Sequence, residues 1–214
     1  MPTPNNLPAE LSSFVGRERQ LAELRRLLRR SRLITLTGPG GSGKTRLALH
    51  LAADVLKHYP DGVWLVELAP LADAKLLEQT VATACRITEK SKRPPVEALV
   101  EGLASRKVLL VLDGCEHMVD SCANLTSRLL RSCPKLTILV TSREPLGVPG
   151  EVIWRTPSLS VPAPEDSSRP ELVLASEAVR LYVERENANA QRTYASLRMV
   201  DAGYAIYEDE FVRR

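Results

Sequence analysis

Aromatic residues make up only 4% of the 214-residue chain, so any core must be built from Leu, Val, Ile and Ala. No apolar run approaches the length of a membrane span, and the opening MPTPNNLPAE has neither the basic region nor the apolar core of a secretory signal. These absences argue against a membrane protein and lead us to expect a cytoplasmic one. Cysteine is also sparse. Cys85, Cys115, Cys122 and Cys133 form no C-x-x-C pair, which suits reduced thiols in a reducing compartment. Cys115, His117, Cys122 and Cys133 could be arranged as a zinc site on paper, but their spacing fits no usual zinc pattern. A large excess of one charge is missing too. The net charge of +3 is too small to argue for nucleic acid or a membrane surface by itself. Neither a Ser-His-Asp nor an H-E-x-x-H arrangement stands out, and there is no internal repeat.

What is present centres on Gly38-Pro39-Gly40-Gly41-Ser42-Gly43-Lys44-Thr45. This run meets G-x-x-x-x-G-K-[ST] at every position, after the apolar segment 33–37 and before a helical pattern that opens with Arg46. Glycines let successive backbone N–H groups turn inward around phosphate oxygens, and the helix start aims its positive end at the same anion. Lys44 supplies a mobile charge for the β- and γ-phosphates, and the Thr45 hydroxyl can ligate Mg²⁺. The residues from Gly38 to Arg46 are therefore the candidate cradle of a nucleoside triphosphate.

Around it, strands alternate with helices. Expected strands cover 63–68, 107–113 and 136–141, with a short fifth at 152–154. The third and fourth are apolar without alternation, as in a parallel sheet buried on both faces. Expected helices begin near Glu18 and cover about 45–58, 73–86, 96–104 and 118–131, with a basic, proline-marked loop at 90–95. The predicted fold class is α/β: a three-layer P-loop NTPase with a mostly parallel sheet and a short helical C-terminal appendage. The predicted organisation is an extended, proline-rich lead-in at 1–13, a nucleotide-binding domain at 14–157, a linker at 158–170 and a helical segment at 171–214. Helix is expected to return from about Ala175, with Ala178, Leu181 and Tyr182 on one face.

Asp113 ends a buried apolar strand, where a P-loop protein places the carboxylate that organises Mg²⁺, so Thr45 and Asp113 are the candidate metal residues. Glu116 is the nearest carboxylate able to orient an attacking water; equally, Glu116 and His117 read as the acidic start of a helix. Arg143 follows the fourth strand at the carboxyl edge of the sheet, where ligands bind in open α/β folds. There it can read the γ-phosphate, against the alternative of a structural ion pair with Glu144 or Asp113. Lys44, Asp113, Glu116 and Arg143 are thus the candidate catalytic set. Arg25, Arg26, Arg29 and Arg30 lie mostly off the apolar stripe of the first helix and read as a solvated face in preference to a nucleic-acid patch.

Phe14-Val15-Gly16-Arg17-Glu18, GPGGSGKTRLA, VLLVLDGCEHM and LTILVTSREPLGVPGE together resemble the nucleotide-binding domain of STAND-type P-loop ATPases. The match is closest to the ATPase module of large bacterial transcriptional regulators of the LuxR and SARP kind, distant relatives of NB-ARC switch proteins. It covers about residues 7 to 187. The resemblance implies that Val15 and Gly16 lie against adenine and ribose, and that ADP marks the inactive state and ATP the assembling one. Family members usually carry Asn or a second acid where Gly114 stands here, which implies slow hydrolysis. A Gly-Leu-Pro-Leu lid motif, a winged helix and a helix-turn-helix are not found after Leu181, so the segment reads as a switch domain cut short. On this reading the ligands are ATP or ADP with Mg²⁺, and a protein partner or self-assembly engages the helical C-terminus. DNA and membrane binding are not expected. A nucleotide-bound interaction module without turnover is the alternative.

Overall fold

The computed structural model describes residues 3–8, 16–87, 94–163 and 169–179. Residues 3–8 with 19–87 and 94–156 form one compact unit, and 16–18 with 157–163 and 169–179 belong to another. In the first unit α1 (Glu18–Leu28, whose first residue belongs to the second unit) leads into β1 (Leu33–Thr37), followed by α2 (Lys44–Asp54) and β2 (Val63–Glu67). Next come α3 (Leu77–Ala84), α4 (Pro95–Leu103), β3 (Leu109–Asp113), α5 (Val119–Ser132), β4 (Thr137–Ser142) and β5 (Val152–Arg155).

The five strands form one sheet in the order β2-β3-β4-β1-β5, and every pairing is parallel. The apolar runs explain this. β1 and β4 are buried at every residue, and β3 at all but its terminal Asp113, so both faces of the central strands need helical cover. On one face Leu110, Leu112, Ile138 and Val140 pack in a cluster with Val81 of α3, Leu99 of α4 and Leu125 of α5. Side chains alternate along a strand, so Leu109, Val111 and Leu139 face the other way, the side covered by α2 through Leu47 and Leu51. The three-layer α/β architecture expected from the sequence is the one observed.

Two local details differ from or add to the expectation. The helix expected from 73 is a 3₁₀ turn at Ala74–Leu76, capped by the Asp73 carboxylate accepting from Lys75 N, before α3 proper. The lead-in runs beside β2. Val63 N donates to Pro4 O (3.0 Å), and the Asn6 side-chain amide both donates to Leu65 O (2.8 Å) and accepts from Leu65 N (2.6 Å). An amide side chain has the donor and acceptor of a peptide group, so Asn6 pairs with the strand as backbone would.

In the second unit α6 (Pro170–Ala175) begins inside the stretch expected to be linker, because proline is favoured at a helix start. The chain turns extended at Ser176 (φ −70°, ψ 141°) and is helical again at residues 177–179, close to where helix was expected to return. Leu181, Tyr182 and the rest of the predicted appendage to residue 214 lie outside the described residues, as does Val15.

Candidate functional site

The site is built from three strand ends that parallel pairing brings to one edge. Register places Thr37 opposite Ser142 and Asp113 opposite Thr141, so the segments after β1, β3 and β4 leave the sheet side by side. The loop after β1 turns through Gly38 (φ 154°), Gly41 (φ 76°) and Gly43 (φ 80°). A side chain at Gly43, the residue before α2, would be strained in that left-handed conformation.

Lys44 is only 9% exposed, and its Nζ donates to Gly38 O (2.9 Å) and Pro39 O (2.8 Å). The ammonium is thus folded back under its own loop. Burial lowers its pKa below the ordinary lysine value; Glu116 and Asp113 counteract this, while Arg143 adds to it. Thr45 Oγ1 donates to Asp113 Oδ1 at 2.8 Å. The hydroxyl from the loop and the carboxylate from β3 therefore lie within one hydrogen bond of each other, a hard-oxygen pair of the kind Mg²⁺ prefers. Thr45 would be a direct ligand and Asp113 an anchor for coordinated water.

Asp113 Oδ1 also accepts from Thr141 Oγ1 (2.6 Å), and the same hydroxyl accepts from Gly114 N (2.9 Å). Thr141 thus orients the carboxylate, a role that its place in the sequence does not assign. The signal is a hydroxyl near the end of an otherwise apolar buried strand. Gly114 sits at φ 81°, ψ 48°, a left-handed conformation that gives glycine a backbone reason to stand there.

Glu116 lies in a single 3₁₀ turn, Cys115–His117, ahead of α5. Its Oε1 is 3.7 Å from Arg143 Nε, and its Oε2 is buried and has no hydrogen-bond partner. Arg143 pairs with Glu116, where the structural alternative had Glu144 or Asp113 as partner. Its guanidinium also reaches the loop, since a Cβ placed on Gly40 would lie 3.9 Å from Nη2. His117 points away, with Nε2 donating to Leu71 O at 3.1 Å. Cys115, Cys122 and Cys133 are buried free thiols. Lys44, Thr45, Asp113, Glu116 and Arg143 are thus brought together; Arg46 stands on α2 just behind them.

Gly16 belongs to the second unit. Gly16 and Arg17 both take positive φ (73° and 62°), held by Glu177: its Oε1 accepts from Arg17 N (2.8 Å) and its Oε2 from Ser160 N (3.1 Å). Arg17 Nη2 donates to Pro157 O (3.2 Å). Burial lowers the Arg17 pKa, partly offset by Glu177. No local pattern singles out Glu177, because its partner is 160 positions away.

Comparison with known proteins bears on the family and the fold. The family model of the AAA ATPase domain matches residues 13–141. The uncharacterized protein Rv0894 of Mycobacterium tuberculosis is 39% identical over 204 residues, covering 95% of this chain and 47% of that protein. The chain thus spans about half the length of that relative. Rv0890c of the same organism, provisionally named an HTH-type transcriptional regulator, is 41% identical over 162 residues, or 76% of this chain and 17% of that one. Among solved structures, the Orc1 protein of Aeropyrum pernix in complex with DNA aligns with a TM-score of 0.50 at 19% identity, covering 76% of this chain and 49% of that one. At that identity the likeness concerns the fold alone.

Proposed function

The chain belongs to the AAA ATPase domain family, and from that premise we propose that it is a nucleotide-dependent switch of the STAND type serving signalling or transcriptional regulation. The observation that carries this reading is the Thr45–Asp113 hydrogen bond, which joins phosphate loop and strand carboxylate at one point beside Lys44. Residues Gly38 to Thr45 hold the phosphates of ATP or ADP, and Lys44 leaves its loop carbonyls to meet the terminal ones. Mg²⁺, when bound, neutralises phosphate charge and fixes its geometry. Thr45 and Asp113 hold that ion, and Thr141 keeps the carboxylate aimed. Gly16, with Val15, serves the adenine and ribose side.

Glu116 is the group that orients the attacking water, and Arg143 is the group that reads the γ-phosphate. As they stand, each occupies the other, so turnover is slow until nucleotide draws Arg143 away. That pairing also favours a second reading, in which nucleotide is a bound structural ligand without turnover. Single-turnover phosphate release above the level of a Lys44→Ala control decides for the ATPase. The likeness to LuxR, SARP and NB-ARC modules is part of the proposal, as are cytoplasmic residence, the 14–157 nucleotide-binding boundary and a protein partner or self-assembly through the C-terminal segment.

The first test is thermal. Saturating ADP or ATP at about 100 times Kd stabilises a binder by about 2.7 kcal/mol, which raises Tm by about 5–10 °C in a chain of this size. Lys44→Ala should abolish that shift, and an unchanged shift would sink the reading.

A further inference from the structure

At the opposite, amino edge of the sheet the chain segments that enter the strands carry charge of one sign. Arg32 precedes β1, Lys107 precedes β3 and Lys135 precedes β4, while Arg25, Arg29 and Arg30 come from the end of α1. All six line one cavity of about 420 Å³. Its walls also include Leu28, Val55, Tyr59 and Pro134, and His58 stands at the same opening.

Six of the 29 lysines and arginines of the chain line this one cavity, so positive charge is concentrated here. The lining contains one carboxylate, Asp54, and it is taken by Arg25 at 3.0 Å. Asp61 stands nearby, with Oδ2 accepting from Lys107 N at 2.7 Å. The ends of α1 and α2 add only about half a negative charge each. Arg32 is pinned in place by donating to Leu130 O (2.9 Å) and Cys133 O (3.2 Å), neither of which neutralises it. Among the described residues no ion pair engages Arg29, Arg30, Lys107 or Lys135.

We propose that this cavity is a second anion site, for a small molecule bearing several phosphate groups, distinct from the nucleotide site. Arginines favour phosphate through paired N–H donors, and a cavity of this size holds a compact ligand. The six cations line one cavity, and a cavity of this size suits a compact polyanion better than an extended nucleic-acid backbone. The apolar wall gives a non-phosphate portion somewhere to rest. This proposal stands independently of the switch reading, because none of its residues touches the phosphate loop.

The test is calorimetric titration of inorganic tripolyphosphate, without Mg²⁺, into the Lys44→Ala protein and into wild type preloaded with ADP. Saturable one-to-one binding is expected in both. The double substitution Arg29→Ser with Lys135→Ser changes two exposed side chains, so folding should be retained; it should weaken that binding by about tenfold or more. The ADP-induced thermal shift in the otherwise wild-type background should not move. Absence of saturable binding, or affinity unchanged by the double substitution, overturns the proposal. So does a short single-stranded oligonucleotide that displaces tripolyphosphate and binds more tightly, since the site would then serve nucleic acid.

Discussion

The two edges of the sheet use positive charge in opposite ways. At the carboxyl edge cations are few and each is matched: Lys44 lies under two loop carbonyls and in the field of Glu116 and Asp113, and Arg143 faces Glu116. At the amino edge six cations meet one carboxylate that is already engaged. The matched edge is built from glycine turns and from two short hydroxyls, of Thr45 and Thr141, that converge on a single oxygen of Asp113. The unmatched edge is built from long, exposed side chains over an apolar wall. At the carboxyl edge the cations face carboxylates or carbonyls close by, whereas at the amino edge positive charge outweighs the one carboxylate among it.

The largest effect should come from Lys44→Ala. It removes the nucleotide-induced rise in Tm altogether while leaving tripolyphosphate binding at the amino edge intact, and loss of both together would show that the edges are not independent. Next is Thr141→Val, which deletes the hydroxyl that donates to Asp113 and accepts from Gly114 N. Leaving buried polar groups short of partners costs about 1–3 kcal/mol, readable in urea unfolding, and Mg²⁺-dependent nucleotide affinity should fall with it. A variant of wild-type stability would mean that Asp113 needs no such support.

Gly114→Ala should cost about 1 kcal/mol through its left-handed backbone, with Gly114→Asn costing less because Asn tolerates that region. Equal stabilities for the two variants would place the reason for glycine elsewhere. The smallest change is expected from Arg143→Ala. The pair it breaks is well exposed, so stability should shift by less than about 1 kcal/mol. Its effect should appear in kinetics, as an altered rate of single-turnover phosphate release. A large loss of stability would make Arg143 a structural residue after all.

The carboxyl edge is largely legible in the sequence because its parts are contiguous or end a recognisable strand. Gly38 to Thr45 is one unbroken motif, and Asp113 follows an apolar run that, downstream of such a loop, reads as a buried strand. What joins segments far apart leaves no such trace. Thr141 is visible as a residue but not as the partner of Asp113, and Glu177 acquires its role only because the fold of the second unit brings Arg17 and Ser160 to it. The arginines of α1, taken on their own helix, read as a solvated face. Their grouping with Lys107 and Lys135 depends on the order of strands in the sheet, which local pattern does not encode. The start of α6 at Pro170 is hidden for a different reason: proline signals both a linker and the first turn of a helix.

The pairing of Asn6 with β2 has a consequence for the protein among its neighbours in a crowded solution. An outermost strand with free N–H and C=O groups is a template on which another chain can add, the first step of aggregation. Here Pro4 O and the Asn6 amide occupy N–H and C=O groups of Val63 and Leu65. The segment that does so carries prolines at positions 4 and 8, which cannot donate to a further strand. The first few residues thus act as a selvedge, finishing the sheet so that it does not unravel into contact with the next copy.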